Sequence, residues 1–567
     1  MFIESKTTSA RPGRGFFRLL CLRSLPALAG LLLIPLTAAA QTFPTPDYFR
    51  KVMLRPQSPA QVPGPEGLRD FVKEGKLRLN VADTIKLVLA NNTDVRINRL
   101  ALETSQFSLI RSYTSFDPVL TASFGSTRST NPTASQIDGA PILSSLGQTS
   151  RAGWSQNFQT GTNVGINFTA SRSVTNSSFS TFNPSLSANL NFTVSQPLLR
   201  NRGLFPNRAP IVIAQRNLRQ TRANFEAQVS TSIQAAVDLY WGVIQARENL
   251  KVLQRSLELA EATYAQNKRA LELGALPPLD IYRSESQVAS RRVAVIQAEY
   301  ALKQTEDDFR RTIGADLDPQ IRALDLDLIE KAEPMGELAT MDAAEALQRA
   351  LVRRPELEAL RQTLANDDTN LRLAHNSMQP DLNLTAFFTS NGLGGNRLDT
   401  SVTPPVIIAQ GGLGDAFDQI GSWNFPSYGF TLSLRLPIRN RAAEADRGNA
   451  LVSKRRDLYQ LRSREQAIEL EVRNAVHNLE SAKLSMAASR IARDTAQKNL
   501  EAEQKKYELG VQTIFFVLDA QTGLAQAEQS LLQSQVSYQR ALTALDRSMG
   551  DLLERHRIQI TEPATKR

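Results

Sequence analysis

The sequence predicts a mixed fold: a membrane β-barrel carried on long α-helical coiled coils, written twice in one chain. Three observations predict it. The chain repeats itself in order. Its hydrophobic period switches from 3.6 to 2 once in each half. Each half also holds a helical run too long for a compact domain.

The repeat is clearest at the turns, since periodic self-similarity is the first thing to seek in a long chain. Leu271-Glu272-Leu273-Gly274 returns as Tyr507-Glu508-Leu509-Gly510, a shift of 236 residues that also carries Phe309 to Leu545, Ile313 to Met549 and Gly314 to Gly550. Asn92-Thr93-Asp94-Val95 aligns with Arg354-Pro355-Glu356-Leu357 at a shift of 262, which also takes Pro118 to Pro380; Gln196-Pro197-Leu198 aligns with Leu436-Pro437-Ile438 at 240. Each half reads helix, Pro, β segment, Pro, very long helix, Gly turn, shorter helix, Gly. The repeats are placed at 79–314 and 340–550, with 315–339 as linker and 551–567 as a tail.

The chain opens with a targeting pattern. Arg11, Arg14, Arg18 and Arg23 precede an apolar run from Leu25 to Leu36, and Ala38-Ala39-Ala40 before Gln41 fits signal-peptide cleavage. Residues 1–40 also hold Cys21, the one cysteine, so the exported chain would carry no thiol chemistry. They hold five of the 66 Lys and Arg and one of the 56 Asp and Glu, leaving a net charge of +6. Scattered on helices, that charge does not suggest a nucleic-acid partner. Residues 41–78 are proline-rich and read as an extended arm.

Asn80-Val81-Ala82-Asp83 opens a helix expected over 79–115. Alternation follows, within a β region at 117–197. Leu120, Ala122 and Phe124 alternate with small polar residues. So do Val164, Ile166, Phe168 and Ala170, and then Leu186, Ala188, Leu190, Phe192 and Val194. The second half repeats this over 380–437, with Leu382, Leu384, Ala386 and Phe388, then Tyr428, Phe430, Leu432 and Leu434, after a helix at 340–378. One apolar and one uncharged polar face fits strands between lipid and a wet lumen, and runs of about ten residues fit the span of a membrane strand. Ser129–Ser150, Ser173–Pro184 and Thr389–Pro426 are read as polar loops. Trp154–Phe158 forms a further strand candidate against Val164; whether this hairpin, at 152–172, joins the barrel is open.

The long helices are expected at 206–273 and 441–509, each an unbroken rod of roughly 100 Å. Val229, Ala236, Val243, Leu250, Leu257, Tyr264 and Leu271 recur every seventh residue, with Phe225, Leu239, Ala246, Leu253 and Ala260 beside them. Val472, Leu479, Met486, Leu500 and Tyr507 hold the register in the second copy, Arg493 excepted. That is coiled-coil spacing. The returning helices, 279–313 and 515–549, are half as long, so the first helix of each repeat must complete the rods.

These features resemble the TolC family of outer-membrane channel proteins. The most specific stretch is Tyr507-Glu508-Leu509-Gly510 followed by Val517-Leu518-Asp519-Ala520-Gln521, with a weaker copy at Leu273-Gly274 to Asp280. The resemblance implies a homotrimer in which each subunit gives four strands to one 12-stranded barrel and its helices to a periplasmic tunnel. It implies an exit duct for efflux or type I secretion, in the outer membrane and reaching into the periplasm. It further implies a periplasmic adaptor and an inner-membrane pump, of RND or ABC type, as partners. No phosphate-binding GxxxxGK[ST] motif is present, so transport through the duct would be passive. No cofactor is expected.

By resemblance the gate lies at the helix turns. Asp519 matches the family's deeper gate aspartate. The second falls on Phe516, the arginine that ties neighbouring helix pairs falls on Gln512, and Asp280 and Tyr507 match the remaining locking partners. Asp519 could form a ring of carboxylates selecting cations, or make a helix-start or interhelix hydrogen bond. Gly274, Ala275 and Leu276, and Gly510 and Val511, are the expected adaptor-docking turns. An enzyme is disfavoured, because His375, His477 and His556 lie far apart. A periplasmic coiled-coil scaffold attached to the outer membrane is the alternative, and it would leave the alternating strands unexplained.

Overall fold

The computed structural model describes residues 62, 64–133, 140–273, 278–334, 338–402 and 405–558. The targeting segment, most of the arm and the end of the tail lie outside the described residues.

The end of the arm is folded. Strands β1 (Val72–Lys73) and β2 (Lys76–Leu79) form a hairpin, and β2 pairs in parallel with β7 (Asp325–Leu328), inside the expected linker. Leu77, Leu79, Leu326 and Leu328 turn inward, with charged residues between them. Four-residue alternation is too short a signal to separate from loop.

The first helix of each repeat is broken in two. Helix α1 (Val81–Asn91) is capped by Asn80, whose side-chain oxygen accepts from the Asp83 N–H at 2.7 Å. Extended Asn92 ends it and caps α2 (Thr93–Ser112). In the second repeat α5 (Ala343–Arg353) and α6 (Pro355–Ser377) break at Arg354, because the residue before a proline leaves the helical region. The long rods are α3 (Leu204–Glu272) and α8 (Arg441–Glu508); they turn back as α4 (Pro278–Ile313) and α9 (Ile514–Met549). Rod α3 starts two residues before its expected position and contains Pro210. As the seventh residue of the helix, Pro210 lies past the first turn and leaves the Pro206 carbonyl without its i+4 backbone donor.

The duplication holds in three dimensions. Gly314 and Gly550 end α4 and α9 at φ +75° and +80°. A Cβ on Gly314 would lie 2.7 Å from Asn91, and one on Gly550 3.2 Å from the Cβ of Arg353. Asn92 donates to the Thr312 carbonyl, and Arg354 to the Ser548 carbonyl, each at 3.2 Å. Both pairs obey the two sequence shifts. The main core surrounds this junction in the first repeat, with Ile85, Val88, Ile233, Tyr240, Phe309 and Ile313.

The β segments build one antiparallel sheet in the order β10-β8-β6-β5-β4-β3, with short β9 (Val406–Ala409) beside β8. Its strands are β3 (Val119–Pro132), β4 (Ile142–Asn157), β5 (Asn163–Thr175), β6 (Phe182–Pro197), β8 (Asp381–Asp399) and β10 (Pro426–Arg435). The chain thus contributes six long strands, not the four implied by the resemblance. Two expected loops shrink, because the strands continue into them. The third, 389–426, holds the rest of β8, β9 and a helix, α7 (Leu413–Gly421). Trp154 pairs with Ile166, so the Trp154 hairpin belongs to the sheet.

Helix α7 lies on the apolar face, burying Ala416 and Ile420 against Ala188 beside Phe168 and Leu190. Trp423 packs its ring on Phe388 and Phe192, at 4.8 and 6.3 Å between centroids. Among the described residues no helix is long and apolar enough to cross a membrane.

Candidate site at the helical tip

The far end of the rods is the turn from α8 to α9. Gly510 takes φ +74°, and the Val511 and Gly510 N–H groups donate back to the Lys506 and Tyr507 carbonyls at 3.0 and 2.9 Å. This left-handed cap closes the helix and reverses the chain. Leu509 and Val511 are left exposed at the apex, at 78% and 72%. Gly274, Ala275 and Leu276 of the other turn lie outside the described residues.

Below the turn Ile514, Val517, Leu518 and Ala520 bury together with Leu500, while Leu259 and Tyr507 pack on them. That packing fixes the rotation of α9 and leaves Phe515, Phe516 and Asp519 exposed. Phe516 and Asp519 are three residues apart and share one side of the helix. The Phe515 ring meets Phe516 edge-on at 5.5 Å. Gln512 is half-buried, and its side-chain oxygen is enclosed with no donor among the described residues.

The two helical hairpins are joined here by a neutral polar layer. The Tyr507 hydroxyl donates to Asn267 Oδ1 at 3.0 Å, Asn267 Nδ2 donates to Ser284 Oγ at 2.7 Å, and Ser284 donates to the Asp280 carbonyl at 3.1 Å. Further along, Gln521 donates to Thr263 Oγ1 at 3.1 Å and Arg291 to Thr522 Oγ1 at 2.6 Å. Asn267 and Ser284 are buried.

Of the two expected locking residues, Tyr507 bridges the hairpins to Asn267, and the Asp280 carboxylate stands 3.9 Å from Arg283 of its own helix. Burial, and secondarily the Asp280 charge, push the Tyr507 hydroxyl pKa up, so it remains a donor. Asn267, Ser284 and Thr263 were not singled out in the sequence, and Gln521 stood there only as the last residue of the signature stretch. The signal was present for Asn267, seven residues beyond Ala260 and fourteen beyond Leu253 on a heptad core position.

Among the described residues no group of three or more His, Cys, Asp or Glu could hold a metal ion. The tip therefore offers a polar clasp, an aromatic and acidic face and an exposed apolar apex.

A family model described as "Outer membrane efflux protein" matches residues 163–315 and 346–551. The chain is 23% identical over 348 residues to outer membrane protein TolC of Escherichia coli (strain K12), covering 60% of this chain and 66% of that protein. The chain thus spans just under two thirds of the length of that relative. Among solved structures, CusC superposes with a TM-score of 0.61 at 15% identity, covering 87% of this chain and 95% of that one. The Campylobacter jejuni CmeC outer membrane channel gives 0.56 at 15% identity, covering 88% and 90%. At such identities the likeness concerns the fold. Taken with the family match across both repeats, it means that the chain belongs to the outer membrane efflux protein family.

Proposed function

We propose that this protein is the outer-membrane exit duct of a tripartite efflux or secretion assembly, conducting substrates passively from a periplasmic adaptor and an inner-membrane pump to the exterior. One observation carries the reading: a sheet with one mainly apolar and one mainly polar face is joined at one end to helical rods of roughly 100 Å. One copy cannot seal a pore, because among the described residues β3 and β10 are each paired on one side only. Every backbone group in lipid needs a partner.

The flanks favour a head-to-tail ring of identical subunits, which we take as three. Strand β3 follows α2, which exposes Ile97, Leu100, Phe107 and Ile110; β10 precedes α8, which exposes Val452, Tyr459 and Leu470. In such a ring the α2–β3 flank of one copy meets the β10–α8 flank of the next, pairing strand edges and apolar stripes together. Asp519 and Phe516 then line the tip as rings, with Asp280, Gln512 and Tyr507 in the surrounding lock. The exposed Leu509–Val511 apex, with its counterpart at Gly274, Ala275 and Leu276, is the adaptor-docking surface.

Single-channel conductance in a planar bilayer tests this, using detergent-purified protein and Asp519→Ala. The reading expects a small, cation-preferring conductance whose preference is lost in the variant. Folded protein that neither oligomerises nor conducts overturns it.

A further inference from the structure

We infer that each subunit puts six strands, not four, into the barrel wall, so that a three-fold ring closes eighteen strands and the wall is as wide as the helical tube beneath it. The inference rests on the channel reading above. Its evidence is the hairpin formed by β4 and β5.

That hairpin is laddered on both sides without interruption. Strand β4 pairs with β3 from Val119↔Ser155 to Pro132↔Ile142, and β5 pairs with β6 from Asn163↔Ser195 to Ser173↔Ser185. Its faces continue those of its neighbours. Trp154 and Ile166 align with Leu120 and Phe192 on the apolar side, and Asn167 and Thr169 align with Asn191 and Asn189 on the polar side. A one-residue slip would mix the faces. None is present across these four strands.

The hairpin is also fixed at the helical end. Its turn closes through the Phe158 N–H to the Thr162 carbonyl at 2.8 Å, with Gly161 at φ +86°. A Cβ on Gly161 would lie 2.8 Å from the Asn201 carbonyl, and Gly203 donates to the Thr160 carbonyl at 3.2 Å. The turn is therefore docked on the start of α3, level with the other strand ends.

The widths agree. The tube next to the sheet is one layer per chain, in the order α2-α3-α6-α8. Four helices at about 9 Å span an arc of roughly 36 Å. Six strands at about 4.8 Å, tilted by about 40°, span roughly 38 Å, whereas four span roughly 25 Å. Six strands seat on four helices without a taper. Three copies would give a backbone diameter of roughly 36 Å against roughly 24 Å for twelve strands.

Cysteine accessibility tests it, in full-length protein in lipid vesicles with Cys21 replaced by Ser. Asn167→Cys and Thr169→Cys should react with a charged, water-soluble maleimide, and Val164→Cys and Ile166→Cys should not. Thr385→Cys and Leu384→Cys on β8 are the control pair. Alternation in both strands together with a trimer by native mass spectrometry is the expected result. Alternation in β8 with uniform labelling of β5 would put the hairpin outside the membrane and overturn the inference while leaving the channel. A dimer would close twelve strands with two copies and overturn the count. Loss of alternation in both strands would overturn the channel reading itself.

Discussion

The hydroxyl of Tyr507 donates a 3.0 Å hydrogen bond to Oδ1 of Asn267, 240 residues earlier, and so ties one repeat's helical hairpin to the other at the tip. The bond is neutral at both ends. It ties the hairpins without the cost of burying a charge. Tyr507→Phe removes the donor and leaves a buried amide oxygen unpaired, at about 1–3 kcal/mol per subunit. The hairpins should separate more readily, and single-channel recordings should show larger or more frequent openings with unchanged yield of folded protein. A variant with wild-type gating would show that the clasp does not hold the gate.

Arg354 marks the break between α5 and α6. Only 2% exposed, it pairs with Glu356 at 3.0 Å and Glu471 at 2.9 Å, and it donates to the Ser548 carbonyl. Arg354→Ala removes the buried partner of both carboxylates, which keep Arg464 at 3.2 Å and Arg547 at 3.4 Å, and takes a donor from the Ser548 carbonyl. Since both glutamates keep some solvent, the expected loss is roughly 2–4 kcal/mol, below that of a fully buried pair. Denaturant unfolding of the detergent-solubilised protein measures it. Arg354→Lys should recover only part, lacking the planar fork.

Asp367 and Asp457 are both buried between α6 and α8. Burial, then the neighbouring Asp457, push the Asp367 pKa up, against the opposing charge of Arg456; Asp368, paired to Lys454 at 2.6 Å, adds a small push the same way. A carboxyl whose folded pKa is raised binds its proton more tightly in the folded state. Its stabilising effect is present below the unfolded value near 3.8 and is lost as pH rises through the folded one. Asp367→Asn should therefore raise Tm at pH 7 and leave it nearly unchanged at pH 4. Equal shifts at both pH values would refute this.

Gly392 lies under helix α7. A Cβ there would stand 2.0 Å from the backbone oxygen of Ala416. Gly392→Ala should lift α7 and loosen Trp423 from Phe388, costing about 1–3 kcal/mol by overpacking. Trp423 emission should move to longer wavelength in a background where Trp154 and Trp241 are replaced by Phe. Gly421→Ala, with nothing within 4 Å of its Cβ, is the control and should leave the emission unchanged.

The sequence by itself determined the duplication, the rods and the two-faced strands. Each is a periodic property, and periods of 2, of seven and of some 240 residues are written along the chain. Turn chemistry was legible for the same local reason: Asn80 as a cap, and Gly314, Gly510 and Gly550 as left-handed ends. Tertiary structure alone decided three things. It decided that six strands pair, because β4 lacks a sustained apolar alternation and is held by ladders to neighbours on both sides. It folded α7 onto the apolar face, because glycines at 392 and 394 let a backbone approach that no pattern announces. And it set Asn267 as the partner of Tyr507, because which side chains meet across two hairpins depends on how α8 and α3 are rotated, and the packing of Tyr507 on Ile514, Val517 and Leu518 helps to hold that end of α8.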